Sequence, residues 1–142
     1  MSAIQTNAFI AVQRPVSASA VATAAETAFH APTQAVELID PAENIQGLRI
    51  TKAYAITRAA PAAAVNCQLY EWDGTSHTLI DSAVLANTAP GASVASVKAA
   101  FDASEDAPLF LQPGVGLAFA IGSAVANGVV CRVSGGAYDP LP

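Results

Sequence analysis

Cys67, Cys131, His30 and His77 are the residues of widest chemical reach in this 142-residue chain. A nucleophilic centre needs a thiol or hydroxyl beside a base that a third group orients. Each cysteine instead falls on the apolar side of an alternating run, and the histidines fall in polar loops or at strand starts. Both cysteines therefore read as small buried apolar residues of a chain made in a reducing cytosol. There is no CxxC pair, and two histidines are too few for a four-ligand zinc site or a cupin-type metal centre. Glu71, Asp73 and Asp81 gather near one turn, and Glu105 with Asp106 lies in a polar connector. A glycosidase needs two carboxylates facing each other in a cleft; solvated turn acids are the simpler reading here. The segment EWDG at 71–74 has some residue types of a calcium loop without its ligand spacing. GVG at 114–116 is too short to cradle a dinucleotide and leads into a strand, not a helix. The chain is read as a non-enzyme that uses no metal or other cofactor.

Binding chemistry is the alternative. Tyr70 and Trp72 fall on the polar side of their run. There they can anchor an interface, cover a second layer or stack on a sugar, and interface or core is favoured. Together with Ile4, Phe9, Ile10 and Val12, on a candidate N-terminal edge strand, they form the candidate interface set. Direct nucleic-acid binding is not expected. The net charge is −5, from 11 acids against 6 bases, and the bases look scattered apart from Arg49, Lys52 and Arg58.

The elements that must position these residues are short strands. Apolar residues make up 53% of the chain, but 33 of the 142 residues are alanine, so the core must be thin. Charged residues are only 12%, about half the usual share, which excludes disorder driven by charge and suits a surface covered by neighbours. No run approaches a membrane span, and the N-terminus lacks the pattern of a secretory signal.

Leu48, Ile50, Tyr54 and Ile56 alternate with Arg49, Thr51, Ala53 and Ala55, a period of two, with Lys52 anomalous on the apolar side. Val65, Cys67 and Leu69 alternate with Asn66, Gln68 and Tyr70 as the expected second arm of a hairpin. Further strands are expected over 77–86, 93–101, 109–111, 115–121 and 129–134, with a hairpin turn at Asn127-Gly128. Gly116, Ala118, Ala120 and Gly122 form a small-residue face, against which another backbone layer or a partner chain should lie. Residues 34–39 and 4–12 add two candidate strands, and 17–28 reads as extended or irregular in preference to helical.

About eight short strands call for an all-β, jelly-roll-like antiparallel β-sandwich. The expected organisation is an extended N-terminal arm over 1–34 and a sandwich domain over 35–142, with Val65, Cys67, Leu69, Leu117, Phe119, Ile121, Val129, Cys131 and Val133 sharing one core. A core this rich in alanine favours a homodimer or higher oligomer.

The segments GLRITKAY (47–54), VNCQLYEWDGT (65–75), PLFLQPGVGLAFAIG (108–122) and ANGVV (126–130) resemble the capsid cement, or decoration, proteins of tailed bacteriophages, those of Bordetella phages most of all. The resemblance implies a jelly-roll subunit on the outer surface of the virion, made in the host cytoplasm, whose partner is the major capsid protein. It implies a clamp between neighbouring capsid subunits and carries no catalytic residues over. A glycan- or receptor-binding jelly-roll module of a tail fibre or baseplate is the alternative. Neither reading involves a membrane.

Overall fold

In the computed structural model, which describes residues 14–138, alternation builds the first strand. Val16, Ala18, Ala20 and Ala22 of β1 (Arg14–Ala22) turn toward the core, while Pro15, Ser17, Ser19 and Val21 turn outward. The chain continues through β2 (Val36–Ile39), a 3₁₀ turn (Pro41–Glu43), β3 (Leu48–Thr57), β4 (Val65–Trp72) and β5 (His77–Leu85). It ends with β6 (Lys98–Ala100), β7 (Leu109–Leu111), β8 (Gly116–Ile121) and β9 (Val129–Ala137). Two antiparallel sheets result. The front sheet runs β1-β9-β3-β6, with β7 also on β3, and the back sheet runs β2-β8-β4-β5. The protein is an all-β sandwich.

All nine residues expected in one core are there, buried between the sheets with Ile50, Leu85, Phe101 and Leu111. Small residues such as Ala53, Ala55 and Ala99 line part of it. Buried Asn44 pins one corner. Its Nδ2 donates to the Gln112 and Val115 carbonyls at 2.7 and 2.8 Å, and its Oδ1 accepts from the Gly47 N–H at 2.8 Å.

Several expectations are corrected. Residues 14–22 do not belong to an arm: β1 pairs with β9 over its whole length, from Arg14↔Ala137 to Ala22↔Val129. A strand of Ala, Ser and Val has no strong apolar stripe, so its half-buried edge position is faint in sequence. The rest of the proposed arm, with the strand proposed for 4–12, lies partly outside the described residues. Its described part, 23–34, is fastened to the back sheet, as detailed below.

The β3–β4 and β8–β9 pairs are not hairpins. In each, the two strands lie in opposite sheets, and the turn carries the chain across the sandwich. Gly128, with φ +80°, supplies the left-handed residue that this second crossing needs. The strand expected over 93–101 shrinks to Lys98–Ala100, because one edge of β3 is shared. β6 takes Tyr54–Ile56 and β7 takes Leu48–Ile50.

The alternation in β3 also changes phase. Its register against β9 slips between Ile50 and Lys52, so Leu48, Ile50, Ala53, Ala55 and Thr57 are buried while Lys52, Tyr54 and Ile56 face outward. The anomalous Lys52 was the mark of this β-bulge. Gly135 sits opposite, so close that a Cβ on it would strike the Arg49 carbonyl and come within 2.8 Å of the Ile50 Cα.

Candidate functional site

The bulge in β3 decides which side chains reach the outer face of the front sheet. Once the phase flips, Lys52, Tyr54 and Ile56 point to solvent beside the outward residues of β9 and β6. Register then sets the rows. Tyr54 lies between Arg132 and Ala100, Ile56 between Val130 and Lys98, and Arg49 between Gly136 and Phe110. Four of the six basic residues thus share one face: Arg49, Lys52, Lys98 and Arg132.

Tyr54 stands at the centre of this group. The Lys52 Nζ is 5.5 Å and the Lys98 Nζ 5.1 Å from its ring centroid, within cation–π range. Arg49 is braced by Glu105, donating from Nη2 to its backbone carbonyl at 3.0 Å and approaching its carboxylate at 3.6 Å. That carboxylate is 81% exposed, so the pair contributes about 0–1 kcal/mol. Among the described residues, no carboxylate comes within ion-pair distance of Lys52, Lys98 or Arg132. Between β1, β9 and β3 the face dips into an open depression of about 490 Å³, lined by Ser17, Arg49, Thr51, Tyr54, Arg132 and Ser134 among others. Phe110, 57% exposed, adds an aromatic at its edge.

The bases looked scattered in sequence because strand order, not spacing, brings positions 49, 52, 98 and 132 together. The legible signal was local. Arg132 alternates with Cys131 and Val133, which marks it as outward, but nothing in the sequence places β9 beside β3.

The candidate interface residues from sequence fall into two groups. Ile4, Phe9, Ile10 and Val12 lie outside the described residues. Tyr70 is fully buried and is no surface anchor. It packs with Ala118 and Ala120, while Ala35 and Trp72 close over them. The layer expected against the small-residue face of β8 therefore comes from the chain itself. The Tyr70 hydroxyl donates to Gln68 Oε1 at 2.7 Å, and burial, with the nearby Glu26 carboxylate, pushes its pKa up to about 12. Trp72 is half-buried on the same outer face of the back sheet. Its Nε1 donates to Glu37 Oε2 at 2.8 Å, and its ring stacks on His77 at 4.6 Å.

Glu26 holds the segment after β1 in place. Its backbone N–H donates to the Ile121 carbonyl at 2.7 Å. Its carboxylate accepts from the N–H groups of Thr33 and Gln34 at 2.7 and 2.6 Å and of Ala28 at 3.0 Å. Burial pushes this carboxyl up, but the backbone bonds, one from Thr27 included, outweigh it and hold the group below its ordinary 4.5. A carboxylate lowered on folding stabilises the fold above its unfolded-state value, and that contribution is lost as pH falls through the folded value. Glu26→Gln should thus cost about 1–3 kcal/mol near neutral pH, because an amide N–H₂ replaces one acceptor oxygen facing backbone donors. The loss should shrink below pH ~4.5. Urea melts of both proteins from pH 3 to 7 test this; equal melts at pH 7 would contradict it.

Asp73, Asp81 and the two cysteines have structural work. Asp73 Oδ1 accepts from Thr75 and Ser76 N–H, both at 2.8 Å, closing the β4–β5 turn; these bonds lower its carboxyl pKa. Asp81 Oδ2 accepts from the Asp102 N–H at 2.6 Å, tying β5 to the connector after β6. Cys67 and Cys131 are free and buried. Burial pushes the Cys67 thiol up to about 12 and Cys131 further still. A water-soluble thiol reagent should leave both unlabelled in the native protein and label both after unfolding. Rapid native labelling would contradict their placement.

No protein-family model matches the chain, and no curated protein matches it significantly.

Proposed function

We propose that this chain is a structural virion protein of a tailed phage, a decoration protein that binds the outer surface of the head and clamps neighbouring major capsid subunits. The observation that carries the reading is the strand order. Two antiparallel sheets ordered β1-β9-β3-β6/β7 and β2-β8-β4-β5 support a jelly-roll reading of the sandwich, the fold implied by the resemblance to cement proteins. The fate of the polar residues supports it. Glu26, Asn44, Asp73 and Asp81 hold loops and turns, while the exposed charge of the front sheet is arranged as a face and not as a cleft with opposed acids.

The mechanism is mass action. A protein that binds the assembled shell, and not its separated subunits, stabilises the shell by RT ln(1 + [L]/Kd). Many copies, each bridging two subunits, add up against the pressure of packaged DNA. In this reading the protein works as a homodimer; among the described residues β1 pairs only with β9, which offers its other edge to a second copy.

The glycan-binding alternative asks for an open aromatic platform. Trp72 has His77 stacked on one side and its N–H committed to Glu37, and Tyr70 is buried, so the decoration reading is preferred. Heads assembled without the protein should form normally and release DNA at lower temperature than complete heads. Heads of unchanged heat stability would overturn the proposal.

A further inference from the structure

We propose that the outer face of the front sheet, centred on Tyr54 with Arg49, Lys52, Lys98 and Arg132, is the docking face of this protein, and that it takes a carboxylate-rich surface of a folded protein partner. It deepens the decoration reading, on which it rests for the partner being a capsid shell.

Charge is the first argument. The chain carries net −5, yet four of its six bases stand on this one face, where among the described residues only Glu105 pairs with one of them. Lys52 and Arg132 are exposed with no carboxylate of their own among the described residues. Such a concentration of bases, most of them without a carboxylate partner, steers an acidic partner to that face and orients it there.

Composition is the second argument, and it favours a protein over a nucleic acid. Arginine and aromatic side chains are the anchors typical of protein interfaces. Here Tyr54 lies in register with Arg132, and Phe110, 57% exposed, lies in register with Arg49. Outward Val21, 39% exposed, and Val130 and Ile56 supply apolar area between the charges. A single-strand nucleic-acid surface can also pair bases with aromatics, but the apolar area of Val21, Val130 and Ile56 between the charges matches a protein surface and has no counterpart on a phosphate backbone.

The third argument is rigidity. The face is built on three adjacent strands, its Tyr54 ring is held between Lys52 and Lys98 at 5.5 and 5.1 Å, and Arg49 is braced by Glu105. Tyr54 and Arg49 thus lose less side-chain freedom on docking than unbraced side chains would.

The test titrates the full chain with a short polyglutamate peptide and, separately, with single-stranded DNA of equal charge, following backbone amide shifts by NMR. The expected result is binding of polyglutamate with shifts at Tyr54, Arg132 and Lys98, weakened about tenfold or more in Lys52→Glu/Arg132→Glu. It should also fade at about 0.5 M salt, where the screening length is roughly 4 Å. Arg58→Glu, an exposed charge reversal outside this group, should leave binding intact. Lys52 and Arg132 are exposed, so the double variant should keep the wild-type melting temperature and fold. DNA binding as tight as polyglutamate binding would overturn the proposal in favour of a phosphate site. Self-association abolished by the double variant, without polyglutamate binding, would overturn it in favour of a second copy. No binding at all would also overturn it. Purified protein suffices, so failure here leaves the virion reading standing, and absence of the protein from virions leaves a positive titration standing.

Discussion

Truncating Phe119 to alanine should cost about 3–5 kcal/mol of stability. Phe119 is fully buried in β8 and meets Phe101 edge-on at 6.4 Å with the rings 78° apart. Its surroundings explain why the loss should be near the upper end of the range for a core aromatic. Ala53, Ala55 and Ala99 share its core, and alanines have no side-chain length with which to fill a vacated volume. The measurement is a urea unfolding midpoint at constant slope. A loss below about 1 kcal/mol would mean that the core collapses around the gap, which the packing described above does not allow.

The second large effect should come from Gly135→Val. A Cβ at this position would strike the Arg49 carbonyl and the Ile50 backbone. Neither can move without opening the β3–β9 ladder at its bulge. Overpacking against backbone costs about 1–3 kcal/mol, or more where the neighbour cannot yield. Gly91→Ala is the matched control, since a Cβ there meets nothing within 4 Å; it should fall within about 0.5 kcal/mol of wild type. Thermal melts of both variants check the pair, and a Gly135→Val protein as stable as Gly91→Ala would remove the bulge's close approach from the account. The same variant should also perturb the front face, because the bulge determines that Lys52 and Tyr54 point outward.

These two positions show what the sequence made legible and what it hid. The period-two runs around Cys67, Phe119 and Cys131 exposed both the strands and their core face, because burial between two sheets forces alternation. Gly135 and Lys52 were harder. A bulge shifts the phase of β3 halfway along, so a single alternation cannot describe it, and the only trace is a lysine out of place. Asp73-Gly74 and Asn127-Gly128 are legible as turns in sequence. Whether a turn folds back within one sheet or crosses to the other depends on long-range pairing, and only the first of these makes a hairpin.

β1 was hidden for a different reason. Alanine and serine alternate in size too little to mark an inward face, and among the described residues β9 alone supplies its pairing. The basic face was invisible for the same long-range reason. Arg49, Lys98 and Arg132 come from three strands whose adjacency no local pattern encodes. Tyr70 misled because its neighbours in the alternation are polar: Gln68 accepts its hydroxyl bond and is itself buried, so a polar stripe marked a second, covered layer in place of solvent.

The proposed function puts the protein on the head of a phage particle as a bound clamp. The most direct measurement is quantitative mass spectrometry of purified virions separated into heads and tails. The account predicts the protein in the head fraction, in a fixed ratio to the major capsid protein, and its release when heads are stripped without loss of the shell. Recovery in the tail fraction, or absence from purified particles, would contradict it.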